Sequence, residues 1–231
     1  MDKKVVFVTG ASRGIGKAVA EKFAAEGWAV AGFYRAAKVE DSENCKYYQM
    51  DVLDRESVED SFNKAYEEFG RIDALICCVG EYGYKTLDQY DLEAMEHIVA
   101  VNEVGTYVVV KEIMKKMKKG SMVLISSTAA QIGSSDPVYA GSKAAILGFS
   151  KSMAKALAPD VRVNCVSPGV TESEMTKNMN QERIDQLIGM SLLKKIATPQ
   201  TVANGIYFLA SDQADHITGA CLDINGGYVL R

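Results

Sequence analysis

Tyr139 and Lys143, in the stretch "VYAGSK", lie four residues apart at the start of a helical pattern, so their side chains share one helix face. An ammonium beside a phenol favours the phenolate and lowers its pKa from about 10. A tyrosine tuned in this way can give or take a proton near neutral pH. The spacing alone occurs on many ordinary helices. Its position gives it weight, because the pair follows the apolar run "SMVLISS", which ends in Ser126 and Ser127. A hydroxyl there and a tuned phenol could together bind and protonate a carbonyl oxygen.

A second constellation is "TGASRGIG", residues 9–16, between a valine-rich run and a helical one. Gly10, Gly14 and Gly16 allow a tight turn, close approach of a diphosphate and close helix–strand packing. The following helix offers it free N–H groups and a positive dipole end. The same letters contain G-x-S-x-G, residues 10–14, the pattern of a hydrolase nucleophile elbow, and His216 with Asp212 or Asp215 would follow in a suitable order. An elbow needs earlier strands to supply its oxyanion loop, and this turn follows the first strand, so the phosphate reading is preferred. Dinucleotide folds select their ribose at the end of the second strand, where NAD sites usually carry a carboxylate. Here "GFYRAAK" has Arg35 and no acid, and Arg13 stands inside the glycine loop. Two guanidinium groups suit a 2′-phosphate, which predicts NADP(H) as the cofactor.

The elements that must position these groups alternate along the chain. Apolar strands are predicted in "KKVVFVTG", "WAVAGFY", "KYYQMDV", "DALICCVG", "SMVLISS", "VRVNCVSPG" and "ACLDINGG". Between them lie helical patterns. Ile15, Ala18, Val19 and Phe23 share the apolar face of the first, which Gly27 ends. Asp54 caps the second. A long helical segment over residues 91–120 is the third, its basic end "MKKMKKG" closed by Gly120. The tyrosine–lysine helix is next, and the last has Thr198 as N-cap and Pro199 at its first position. Strands that are apolar throughout and separated by helices predict one α/β domain over residues 1–231. Its core is a doubly wound, Rossmann-type parallel sheet of about seven strands, with helices on both faces. In such a sheet the site lies at the carboxyl ends of the strands.

With the order "TGASRGIG", "ISS", "YAGSK", "SPG" and "ITGACLDINGG", the chain resembles the short-chain dehydrogenase/reductase family over essentially its whole length. Within that family it is most similar to the 3-oxoacyl-[acyl-carrier-protein] reductases, above all in "LLKKIATPQTVANGIYFLASDQADHITGACLDINGGY". The resemblance implies an NADP-dependent oxidoreductase that reduces a ketone, most simply a 3-oxoacyl thioester. A sugar, polyol, steroid or xenobiotic ketone is the alternative substrate, and a non-catalytic NADP-binding regulator the alternative class. It further implies roles. Tyr139 is the general acid and Lys143 lowers its pKa and holds the nicotinamide ribose. Ser127 orients the carbonyl, with Ser126 as the weaker candidate because the loop to Tyr139 is one residue shorter than usual. Asn102 helps to hold a water in a proton relay. The cofactor set comprises Gly10, Ser12, Arg13, Gly14, Ile15, Gly16, Arg35, Asp51, Val52 and Gly80, then Tyr139, Lys143, Pro168, Gly169, Thr171 and Ser173. Asp51 meets the adenine, and Thr171 or Ser173 the cofactor amide. Residues 172–195, rich in methionine and leucine, become a substrate lid. Acyl carrier protein is a possible partner, and copies of the chain pair through the long segment over residues 91–120 and the tyrosine–lysine helix into dimers or tetramers.

Composition bounds these readings. The chain has 231 residues, 48% hydrophobic and 24% charged, with a net charge of −4, so no broad basic surface for nucleic acid is expected. No apolar run reaches a membrane span or a secretory signal, and five cysteines without CxxC spacing read as reduced thiols, which together predict a cytoplasmic protein. No metal site is expected. Cys77 and Cys78 stand side by side in "CCVG", where the family usually has "NNAG". As strand neighbours they should face opposite sides. They are read as small semi-buried thiols whose replacement of two asparagines loosens the cofactor site. On that view, restoring both asparagines would tighten cofactor binding or raise the melting temperature.

Overall fold

The computed structural model describes residues 3–172, 176 and 180–231. Seven parallel strands form one sheet in the order β3-β2-β1-β4-β5-β6-β7. They are β1 (Val5–Thr9), β2 (Ala29–Tyr34), β3 (Cys45–Gln49), β4 (Ala74–Cys77), β5 (Gly120–Ile125), β6 (Val161–Pro168) and β7 (Cys221–Ile224). The order runs outward from β1 through β2 to β3, then restarts at β4 on the other side of β1. That reversal leaves a crevice above β1 and β4, where a doubly wound sheet binds its ligands.

Helices cover both faces, which is why the central strands β1, β2, β4 and β5 are apolar along most of their length rather than alternating. All five residues of β1 are buried, and successive ones enter different cores. Phe7 joins Phe33, Leu75, Met122 and Leu124 beneath α2 (Arg55–Phe69), α4 (Gly105–Met114) and α6 (Pro137–Leu157). Val6 and Val8 join Val30, Ile76 and Val123 beneath α1 (Gly14–Ala25) and α8 (Pro199–Ala210). In the first core the rings of Phe7, Phe33 and Phe62 meet at 4.8 to 5.6 Å. Each fully buried phenylalanine contributes about 1.5–3 kcal/mol of transfer free energy.

Local chemistry sets the helix ends as expected. The Asp54 carboxylate accepts from the N–H groups of Glu56 and Ser57 at 3.0 and 3.2 Å, Thr198 caps α8 ahead of Pro199, and Gly27 turns the chain after α1 at φ 82°. The basic segment departs from expectation. The helix stops at Met114, where Lys115 pairs with Glu112 and Glu59, and Gly120 opens β5 instead of closing a helix. A Cβ at Gly120 would lie 2.1 Å from the Asp73 carbonyl oxygen, so glycine is required there by a close chain crossing. The long segment is also three elements: α3 (Leu92–Val99), a π turn over Ala100–Val104 and α4. Two further α-helices among the described residues are α5 (Ala129–Ile132), just after β5, and α7 (Gln181–Met190). Among the described residues no helix is long and apolar enough to cross a membrane.

Candidate active site

The carboxyl ends of β1, β4, β5 and β6 open onto a cleft of about 1400 Å³. The glycine turn forms its floor. Gly10 and Gly14 have φ of 68° and 54°, and a Cβ on Gly16 would stand 2.1 Å from the Gly10 carbonyl oxygen, so no larger residue lets α1 start this close to β1. Arg13 sits at the N-cap of α1 without a side-chain cap, which leaves the first-turn N–H groups for an anion. Ser12, Ile15, Arg35, Asp51, Val52, Gly80, Pro168, Gly169 and Thr171 line the same cleft, with Ser127, Tyr139 and Lys143. Arg35 and Asp51 also border an adjoining hollow of about 700 Å³ that includes Lys64. Ser173 lies outside the described residues; Thr171 is nearly buried, and its hydroxyl donates to the Gly169 carbonyl at 3.1 Å. From residues 172–195, Thr176, Arg183 and Leu187 line the cleft.

α6 carries the tyrosine and lysine because Asp136 caps it and Pro137 occupies its first position. Tyr139 and Lys143 are 9% and 3% exposed. The two candidate serines separate clearly. Ser126 is buried and its hydroxyl donates to the Lys143 carbonyl at 2.7 Å. The Ser127 hydroxyl lines the cleft beside Tyr139, where it lowers the phenol's pKa, and it accepts from the Ala129 N–H at 3.1 Å. Asn102, in the π turn, is fully buried. Its Oδ1 accepts from the Glu81 N–H at 2.7 Å, and its Nδ2 donates to the Glu81 carbonyl at 2.9 Å and to Ser142 Oγ at 3.0 Å. Both ends of this side chain are thus used to brace the turn after β4, not to line the cleft.

The electrostatics reverse the expectation for the phenol. Burial pushes Tyr139 up to about 12, with the Ser127 hydroxyl working the other way and Tyr82, Asp136 and Tyr84 adding to the rise. Burial also lowers Lys143 to about 8. The lysine ammonium donates to the Ile125 carbonyl at 3.2 Å and stands 6.0 Å from the centre of the Tyr139 ring. At that distance it does not outweigh the desolvation of the phenolate.

Three tyrosines of the loop after β4, and the cap of α6, belong to the site although sequence reasoning passed them over. The Tyr82 ring meets those of Tyr84 and Tyr139 edge-on, both at 4.8 Å, and its hydroxyl lies 3.0 Å from Ser134 Oγ. The buried hydroxyl of Tyr90 donates to Asp136. The run "GEYGYKTLDQY" and the Asp–Pro start of α6 were the available signals.

Cys77 packs in the core beneath α2 and α4, and Cys78 against the core beneath α1 and α8. They face opposite sides, and both are free. Burial raises Cys77 to about 12 and Cys78 still further, so neither is a thiolate nucleophile at neutral pH. The elbow reading fails on placement. Asp212 pairs with Lys4 at 2.6 Å, at the entry to β1, whereas Ser12 lies beyond its exit.

A family model described as Enoyl-(Acyl carrier protein) reductase matches residues 10–229. The 3-oxoacyl-[acyl-carrier-protein] reductase FabG of Aquifex aeolicus (strain VF5) is 36% identical, over 97% of this chain and 96% of the relative. A solved structure described as a short-chain dehydrogenase/reductase, glucose/ribitol dehydrogenase, from Brucella melitensis is 29% identical, with a TM-score of 0.93 over 99% of this chain and 97% of that one. A structure of ElxO with NADPH bound is 31% identical, with a TM-score of 0.90 over 98% of both chains.

Proposed function

The chain belongs to the short-chain dehydrogenase/reductase family, oxidoreductases acting on CH–OH and C=O groups, and on that premise we propose that it reduces a 3-oxoacyl thioester to the 3-hydroxy product with NADPH. The observation that carries the reading is the meeting of Ser127, Tyr139 and Lys143 in one cleft with the glycine turn. The A. aeolicus relative supports the thioester substrate and, with it, acyl carrier protein as partner. The ElxO structure supports NADPH.

The residues present fit that cofactor. The turn at Gly10 and Gly16 is so close to neighbouring backbone that a Cβ would crowd or collide with it, which brings backbone N–H groups to where a diphosphate would lie, and Arg13 and Arg35 border the cleft where a 2′-phosphate would need cations. Asp51 and Val52 take the adenine side; Pro168, Gly169 and Thr171 take the nicotinamide side. When bound, the nicotinamide supplies hydride. The Ser127 hydroxyl donates a hydrogen bond to the carbonyl oxygen and fixes its position. Tyr139 is the proton donor: with its pKa near 12 it is a phenol at neutral pH, the form reduction needs. Lys143 sets a positive charge beside the developing alkoxide and holds the ribose. Asn102 keeps the turn after β4 in place from behind. We also propose that copies pair through α4 and α6, which already pack together at Tyr107 and Phe149, ring centres 4.2 Å apart.

The deciding measurement is turnover of acetoacetyl thioester, an enoyl thioester, aldoses and polyols, each with NADPH and NADH. The reading expects oxidation of NADPH with the 3-oxo thioester. Turnover of sugars alone would favour the second reading, which the B. melitensis structure supports. Turnover of the enoyl thioester alone would move the reaction to the carbon–carbon double bond.

A further inference from the structure

Asp136 is fully buried, and the partners its carboxylate meets are uncharged donors. Oδ1 accepts from the Tyr139 N–H at 3.0 Å and Oδ2 from the Gly83 N–H at 2.9 Å, while the Tyr90 hydroxyl lies 3.0 and 2.9 Å from the two oxygens. The approach is close on every side. A Cβ on Gly83 would stand 1.8 Å from the Tyr90 hydroxyl oxygen and 2.9 Å from Asp136 Oδ2. The carboxylate therefore ties the loop after β4 to the first turn of the helix that carries Tyr139. A serine or asparagine would cap that helix equally well. What the aspartate adds is a negative charge in a dry setting, three residues before the phenol.

We propose that Asp136 is a positioning residue that holds Tyr139 in its protonated, donating form, so that the site is biased toward carbonyl reduction over alcohol oxidation. This rests on Tyr139 being the proton donor. The charge opposes phenolate formation, and it adds to burial in raising the phenol. The other groups facing Tyr139 are Ser127 from the end of β5, Tyr82 and Tyr84 from the loop after β4, and Lys143 from its own helix. On the neighbouring elements, Glu81 is paired with His97 of α3 at 3.2 Å, and Lys85 stands 5.4 Å from the Tyr90 ring centre. Lys143 favours the phenolate; Asp136 is the fixed charge that counters it.

The test compares Asp136→Asn and Asp136→Ser, both neutral caps, with Tyr90→Phe, which keeps the charge and removes one donor from it. Two readouts are used. One is the pH profile of ketone reduction and of alcohol oxidation by the full chain with cofactor. The other is NMR of tyrosine labelled at the ζ carbon, with the signal assigned by Tyr139→Phe. The phenol titrates without any turnover, so this second readout separates failure of the proposal from failure of the functional reading. The neutral caps are expected to move the alkaline limit of reduction, and the titration of Tyr139, down by about 0.5–1 pH unit. Oxidation at a fixed pH below that limit should gain by about three- to tenfold. Tyr90→Phe concentrates the charge and should move the titration upward. A titration that stays in place in both the neutral caps and Tyr90→Phe, or that moves the same way in both, overturns the proposal. Unchanged profiles with a shifted NMR signal would remove Tyr139 from the proton transfer and leave its electrostatic control intact.

Discussion

Lys143 is an ammonium held in a dry site, and its proposed role in the reaction conflicts with the stability of the fold. Its lowered pKa means that the folded chain binds fewer protons than the unfolded one between about 8 and 10.5. This group's contribution to stability therefore rises with pH across that window, and its full penalty applies below about 8. Lys143→Met should abolish most ketone reduction, by roughly 10²–10⁴-fold, yet raise the stability of the ligand-free protein by about 1–3 kcal/mol at pH 7. Chemical denaturation at pH 7 and pH 10 checks both the gain and its disappearance. Cys77 makes the opposite point. It looked like a lost asparagine, but it is packed among Leu75, Met122 and Leu124, and the turn beyond it is already braced by Asn102. Cys77→Asn is now expected to cost about 1–3 kcal/mol, because it buries an amide in an apolar core. The expectation that two asparagines would stabilise the site is set aside for this position, and a lowered Tm in the single variant is the outcome that checks it.

Elements were legible where their chemistry is local. Asp54, Gly27, Thr198 and Pro199 mark helix ends within a few residues of themselves, and the central strands show as apolar runs. Thr198→Ala should therefore cost only about 1 kcal/mol in denaturant unfolding, with Michaelis constants unchanged, since α8 packs on the face away from the Tyr139 helix. The contacts that shape the site are different in kind. Tyr90 reaches Asp136 across 46 residues and Gly83 reaches it across 53, and no periodicity announces such a meeting. The choice between Ser126 and Ser127 was hidden for a related reason. Adjacent residues leaving a strand diverge, and only the packing of α6 decides which hydroxyl is used by the Lys143 carbonyl. The rise of the phenol was hidden too, because a spacing of four shows which groups are neighbours but not how much water they lose.

At the scale of the molecule, the glycine turn and Arg35 belong to neighbouring strands on one side of the crevice, while Ser127 and Tyr139 come from elements beyond it. On the proposed reading, cofactor choice and proton transfer fall to separate parts of one sheet. Arg13→Ala with Arg35→Ala should weaken NADPH binding by roughly tenfold or more and leave NADH binding nearly unchanged. Parallel fluorescence titrations with the two nucleotides would read this directly, and an equal loss for both would sink the two-arginine argument. The π turn between α3 and α4 joins those parts, and it has a counting consequence. A π turn holds one residue more than the α turn it replaces, and each residue advances an α-helix by about 100°. The segment from Leu92 to Met114 is thus an α-helix carrying one extra residue, and that residue sets the angular phase at which Asn102 meets Glu81. Deleting a single residue there would yield a more regular helix and a site whose brace points the wrong way.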